Sequence, residues 1–219
     1  MEPLRVLHPV PGCQILHAVL KKVRKGVTAE SILKSSIMAK NAGMGILLFT
    51  ILGLGGKELA GSHADQTANL INAIDPDGIR ILTLAVKPAT DLDTMVQEGR
   101  FTMLSEIEMI KEQQSILNQL DGIQSKYGNY HAVNLLPELQ GQLPQDKVDL
   151  LATIEHFLSL NHEEQLNFIF GRRRGNYSRL KDMHQNDRYD WVQKELKKFK
   201  EIHPNQLEAF FHARRKSWI

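Results

Sequence analysis

Two long runs of apolar residues most constrain how this chain of 219 residues can fold. Gly45–Leu54 is nearly all apolar with no alternation between apolar and polar positions, and Ile79–Val86 is similar. Strands buried on both faces of a parallel sheet have this pattern, whereas half-buried strands alternate. The sequence therefore predicts an α/β fold with two such strands.

Helix signals lie between and around these runs. Capping residues and helical spacing of apolar positions mark their starts, and a glycine or a turn marks their ends. A short strand at Leu4–Leu7 would precede the first helix. The predicted helices begin near Thr28, Ser62 and Ser105 and end near Ala42, Ile74 and Leu120. This alternation predicts parallel strands joined by helical crossovers.

Ligands of such folds bind at the carboxyl ends of the strands, where Gly53–Gly56 and Lys87–Thr90 lie. The glycine turn does not match a phosphate-binding loop, because Glu58 follows Lys57 where that motif needs Ser or Thr. The dinucleotide fingerprint also fails at position 58. Two interpretations stay open: a tight strand-to-helix connection, or a backbone surface that a flat ligand approaches closely.

The chain changes character after Gly122, so we predict two domains, residues 1–122 and 123–219. Asn129–Leu143 is typical of a loop. Helical spacing then predicts a mainly helical extension, with helices over Lys147–Leu160, Arg188–Ile202 and Gln206–Arg215.

Neither the net charge nor the cysteine content points to a particular binding partner or metal. The net charge is +2, and Cys13 is the sole cysteine, so it cannot by itself form a disulfide or a cysteine-based metal site. We expect no metal ligands on this chain, no membrane span and a cytoplasmic location. Arg172–Arg174 could grip phosphates or pair with an internal acid. His131 with Asn134 favours a structural over a catalytic role.

Several stretches, in order, resemble the C-terminal half of a radical S-adenosylmethionine (SAM) protein. They are "KKVRKGVTAESI", "TILGLGGKE", "IRILTLAVKPATDL", "EGRF", "HAVNLLPELQGQLPQDK" and "LNFIFGRRRGNYSRLKD". The resemblance implies a partial (β/α) barrel, with about three parallel βα units of a six-unit barrel, followed by an α-helical C-terminal extension. In this family a 4Fe–4S cluster and SAM supply radical chemistry, and the protein orients them.

The resemblance also implies a place for SAM. "ILGLGGKE" and "LAVKPAT" are similar to the last two strand ends of the family's barrel, which border the adenine of SAM. The cofactor-binding residues implied are Leu52, Gly53, Leu54, Ala85, Val86 and Lys87.

The chain departs from the family pattern, and these differences change the function that we expect. The Cys-x3-Cys-x2-Cys motif is absent, and Cys13 stands outside any cluster motif. We therefore expect a truncated or split form that is inactive alone, exposes apolar surface, and needs an N-terminal half-barrel partner or self-associates. No catalytic residue and no substrate can be named. The alternative is a non-catalytic interaction or RNA-binding module that uses the basic helical C-terminal region, although the weak net charge makes nucleic acid an unlikely partner.

Overall fold

The strands and helices follow from the computed structural model, which describes residues 14–185 and 187–217. The strands are β1 (Leu47–Leu52), β2 (Gly78–Thr83), β3 (Lys126–Gly128) and β4 (Gln140–Gln142). The helices are α1 (Gln14–Lys22), α2 (Ala29–Asn41), α3 (Gly56–Ile74), α4 (Asp91–Gln97), α5 (Glu106–Gln119), α6 (Lys147–Ser159), α7 (His162–Arg173), α8 (Arg188–Ile202) and α9 (Leu207–Lys216). A 3₁₀ helix covers Leu180–His184.

The four strands form one open sheet in the order β1-β2-β3-β4. The first three strands are parallel, and β4 is antiparallel to β3. The α/β class with parallel strands and intervening helices is therefore confirmed. The predicted strand at Leu4–Leu7 lies outside the described residues.

Helix caps were predicted well where side chains supply them. Thr28 and Ser105 are the N-caps of α2 and α5, and each belongs to a capping box. The predicted start of α3 at Ser62 is wrong, because α3 begins at Gly56 and Ser62 lies inside it. The backbone N–H of Lys57, in the first turn of α3, donates to the carbonyl oxygen of Thr102 at 2.9 Å. A carbonyl distant in sequence thus accepts the hydrogen bond of this N-terminal N–H group, so no local sequence pattern predicts where the helix begins.

Among the described residues, β1 alternates between buried and more exposed positions, so the prediction that it is buried on both faces is wrong. On the core face, Leu52, Ile79 and Ile81 are almost fully buried in the hydrophobic core that also holds residues of α3 and α5. On the opposite face, Leu47 and Phe49 are 49% and 56% exposed. We call this second surface the open face; it is formed by Leu47, Phe49, Ile51, Arg80 and Leu82.

The C-terminal part joins the same core. Gln140–Gln142 is a short strand within the segment predicted as a loop, and it pairs with β3. The core that includes Leu52 extends through Ile154 and Phe168 to Phe211. Across the described residues, no helix is long and apolar enough to cross a membrane.

We predict that the two faces differ in their contribution to stability. Ile81→Ala, on the core face, should lower the free energy of unfolding by about 2–5 kcal/mol through loss of buried volume. Ile51→Ala, the matched change on the open face, should cost less than about 1 kcal/mol, because its side chain is only half-buried. Urea unfolding of both variants measures the difference, and equal losses would show that the open face is covered in solution.

Candidate functional site

The residues predicted to border SAM lie at two neighbouring strand ends. Leu52 ends β1 and pairs with Thr83, which ends β2. The N–H of Leu84 donates to the carbonyl oxygen of Leu52 at 3.0 Å, which keeps the two chains side by side beyond the strands. Leu52, Gly53 and Val86 are buried, Leu54 and Ala85 are half-buried, and Lys87 is exposed. Of this set, Leu54, Ala85 and Lys87 have surface that a ligand could contact.

Gly53, at the start of the glycine turn, has a backbone conformation that favours glycine. Its φ of +82° lies in the left-handed region, and a Cβ there would be 3.4 Å from the sulfur of Met109. Its N–H donates to a carboxylate oxygen of Glu112 at 2.6 Å. The protein's own carboxylate therefore occupies the place that a ligand anion would take at this N–H.

The rest of the turn packs against the segment before α5. A Cβ on Gly56, whose φ is +66°, would lie 3.1 Å from the carbonyl oxygen of Thr102. A Cβ on Gly55 would lie 3.0 Å from Cβ of His63. Both positions favour the first interpretation of the turn, a tight strand-to-helix connection, because its glycines admit neighbouring protein atoms.

The buried side chains of His63 and Glu112 hold this turn in place. Nδ1 of His63 lies 2.8 Å from Glu112, and the two side chains are 3% and 1% exposed. The other oxygen of Glu112 accepts from Gly53. This link between α3, α5 and the end of β1 was missed from the sequence, since neither residue belongs to a recognisable motif. It holds the predicted cofactor surface in place.

The cofactors implied by the resemblance fit these residues unequally. The described residues hold no group of three histidine, cysteine, aspartate or glutamate side chains placed to bind a metal ion, and Cys13 lies outside them. They do not fit an iron–sulfur cluster, which needs several thiolates. Leu54 and Ala85 fit the apolar rim of an adenine site. Gly53 cannot offer its N–H there, because Glu112 accepts from it.

His131 and Asn134 lie in the loop that follows β3, and Asn134 serves as a structural hub. Its amide nitrogen donates to the carbonyl oxygen of Ile81 at 2.8 Å, and its amide oxygen accepts from the Thr83 hydroxyl at 2.8 Å. These bonds tie the loop to β2. Burial lowers the pKa of His131, whose Nδ1 has no hydrogen-bond partner among the described residues.

The three consecutive arginines have different environments. Arg172 donates to the carbonyl oxygens of Ala132 and Asn134, each at 3.3 Å. Arg173 is 3% exposed and pairs with the buried Glu106. Arg174 is exposed, lies 3.3 Å from Glu195, and stacks over aromatic rings. The run therefore acts largely inside the fold, as an internal acid partner would require.

Glu106, in the first turn of α5, is the acid partner of two buried arginines. Arg173 donates to both of its oxygens, at 2.8 and 2.6 Å, and Arg215 of α9 donates to one at 2.7 Å. Burial would raise the pKa of Glu106, but the two arginines outweigh it and lower the pKa to about 2. His212, beside Arg215, has a pKa lowered to about 4 by burial and by that arginine.

A second arginine arrangement, on the open face, was also missed from the sequence. The guanidinium of Arg80 lies 5.7 Å from the ring centroid of Phe49 and 4.3 Å from that of Tyr130. We call Phe49, Arg80 and Tyr130 the arginine clamp. One signal was available: a lone charge within the apolar run Ile79–Val86.

No protein-family model, no curated protein and no solved structure matches this chain.

We predict that two adjacent arginines differ sharply in their contribution to stability. Arg173→Met should lower the free energy of unfolding by about 3–5 kcal/mol, because it leaves the buried Glu106 without its bidentate partner. Arg174→Met should cost less than about 1 kcal/mol, as expected for an ion pair that water reaches, since Arg174 is exposed and Glu195 is only half-buried. Chemical denaturation of the two variants compares them. Similar small losses would contradict a structural role for Arg173.

We also predict that the Glu106 network weakens in acid. Because the folded-state pKa of Glu106 is lowered, its stabilising effect is complete above the unfolded value near 4.5 and is lost as the pH falls toward about 2. Glu106→Gln should therefore be much less stable than the unsubstituted protein at neutral pH, and the gap should shrink below pH 4.5. Denaturation at several pH values measures the gap. Glu201→Gln, at an exposed position, is the control for loss of one carboxylate, and a gap that does not change with pH would refute the assignment.

Proposed function

We propose that this chain is a SAM-binding half-barrel of the radical SAM type. In this proposal the carboxyl ends of β1 and β2 border the adenine of SAM, and a partner half supplies the iron–sulfur cluster. The reaction would be radical chemistry on a substrate held against the open face. By itself the chain would bind SAM but would not catalyse the reaction.

One observation carries the proposal: in the part of the chain that the structure describes, helices cover only one face of the parallel sheet. Exposed Leu47 and Phe49 and half-buried Ile51 give the other face an apolar surface. β1 is also an edge strand of the described sheet, since among residues 14–185 and 187–217 it pairs with β2 alone. An apolar sheet face beside an unpaired edge favours a further sheet or half-barrel as its cover.

The individual residues support a binding role at the strand ends. Leu54 and Ala85 are half-buried apolar residues on adjacent strand ends, and stacking and burial against such surfaces suit a flat base. The Glu112–His63 pair keeps the turn rigid, which limits the ordering cost of binding. SAM would bring the reactive sulfonium, and the described residues would orient its nucleoside part.

The RNA-binding alternative gains no comparable support. Arg172 and Arg173 donate to backbone carbonyls and to Glu106 inside the fold, so the basic run offers mainly Arg174 to a polyanion. Binding of single strands needs a groove that presents several cations to phosphates.

Calorimetric titration of the full chain with SAM, adenosine and methionine tests the proposal. We expect SAM and adenosine to bind and methionine not to bind. Ala85→Gln should weaken binding of both nucleosides at least about tenfold, or about 1.4 kcal/mol, because a longer side chain obstructs the apolar wall. Ala60→Gln, at a half-buried alanine of α3, is the matched control and should leave binding unchanged.

Co-expression with a half-barrel that carries the Cys-x3-Cys-x2-Cys motif tests the partner role. The co-purified complex should show iron–sulfur absorbance and bind SAM more tightly than the isolated chain, because closure of the barrel buries the ligand. If neither the chain nor the complex binds SAM or adenosine, or if Ala60→Gln weakens binding as much as Ala85→Gln, the proposal fails.

A further inference from the structure

The open face carries a cation that no side chain of the described residues neutralises. Arg80 forms no ion pair within 4.0 Å in that part of the chain, and its buried Nε has no hydrogen-bond partner there. We propose that the arginine clamp binds the carboxylate of a small molecule whose apolar body lies on the open face. The proposal names the substrate class of the proposed half-barrel and to that extent rests on the proposed function.

The clamp is built into the strands. Phe49 and Arg80 are register partners on β1 and β2, and Arg80 pairs with Gly128 on β3. A Cβ on Gly128 would lie 2.4 Å from the Tyr130 ring, so only glycine lets that ring lie across the strand and reach Arg80. The guanidinium also donates to the Tyr130 hydroxyl. The sheet thus fixes the position of the cation.

The Arg80 guanidinium keeps N–H groups for a ligand besides the one that donates to Tyr130 and the buried Nε. A guanidinium stacks on aromatic rings through its planar face and presents its N–H groups along its edge, in a fork that matches a carboxylate. The ring centroids of Phe49 and Tyr130 lie 5.7 and 4.3 Å from the guanidinium carbon, so the two rings flank the cation. The neighbouring Leu47, Ile51 and Leu82 are apolar, and an apolar surface strengthens an ion pair formed beside it.

Charge matching favours a monocarboxylate over a phosphate. One guanidinium balances one negative charge, whereas a phosphate dianion would leave excess charge on an apolar surface. The second cation of this face is the exposed Lys126, which stands on β3 two residues before Gly128, or about 6.6 Å along the strand. Its exposed position keeps it hydrated, so Arg80 is the desolvated anchor. The exposed Phe49 ring offers stacking area to a flat ligand body.

Titration of the full chain with benzoate, followed through the Arg80 Nε–H resonance by NMR, tests the proposal. Benzyl alcohol is the neutral probe of the same shape, and phenyl phosphate is the phosphate probe. We expect saturable shifts with benzoate, weaker binding of phenyl phosphate and none of benzyl alcohol. Arg80→Met, followed through backbone amides of β1 and β2, should weaken benzoate binding about 10-fold or more, as expected for loss of a charge-assisted pair.

Two further variants separate the clamp from other causes. Arg80→Lys should recover only part of the affinity, because an ammonium lacks the planar fork. Arg188→Met, at an exposed arginine of α8, should bind benzoate as the unsubstituted protein does. A dispersed, unchanged amide spectrum outside the sheet shows that each variant is folded.

Several outcomes would overturn the proposal: no benzoate binding to the folded chain, equal binding of benzyl alcohol, tighter binding of phenyl phosphate, or unchanged affinity in Arg80→Met. A change in sedimentation of Arg80→Met with unchanged benzoate binding would instead assign Arg80 to contacts between copies.

SAM titration of Arg80→Met keeps the two proposals distinguishable. Normal SAM binding with lost benzoate binding is expected, whereas benzoate binding without SAM binding would refute the proposed function alone.

Discussion

A carboxylate buried in the first turn of α5 holds the parts of this protein together. Glu106 accepts from Arg173 at the end of α7 and from Arg215 of α9, and Arg173 also donates to the carbonyl oxygen of Val133 at 2.8 Å. One negative charge therefore joins the α/β part, the loop after β3 and the helical C-terminal part. A buried charge tolerates few other arrangements, because each lost partner leaves an unpaired ion in an apolar core. This requirement fixes where the C-terminal helices lie against α5.

The two faces of the sheet differ in how far they are covered by other parts of the protein. Helices cover the face that includes Ile79 and Ile81, and the bonds of Asn134 anchor the loop after β3 to the end of β2. On the opposite face, the apolar side chains of Leu47 and Phe49 are exposed within the described part of the chain. We expect the covered side to supply most of the stability, and both proposals place their ligand or partner on the open side.

Three arginines show how the partner of a charge decides its role. Arg173 has a buried carboxylate and serves the fold. Arg174 is exposed and has a half-buried carboxylate and aromatic rings beside it, and we expect it to contribute little to stability. Arg80 has aromatic rings but no carboxylate among the described residues, and on this observation we base the proposal that it binds an external carboxylate. The role of each arginine thus depends on whether its surroundings supply a carboxylate, and on how deeply that carboxylate is buried.

The sequence by itself determined the α/β class, the two long parallel strands β1 and β2, and the capped helices α2 and α5, because these depend on local periodicity and on side chains a few residues apart. It also placed the glycine turn at a strand end. Only the tertiary structure decided what that turn accommodates, since Glu112 and Thr102 come from distant segments. It likewise decided that β1 is buried on one face, that Arg172 and Arg173 act inside, and that Arg80 lies between two rings. The burial of a strand face and the partner of a charge are properties of packing between remote parts of the chain, which local pattern does not record.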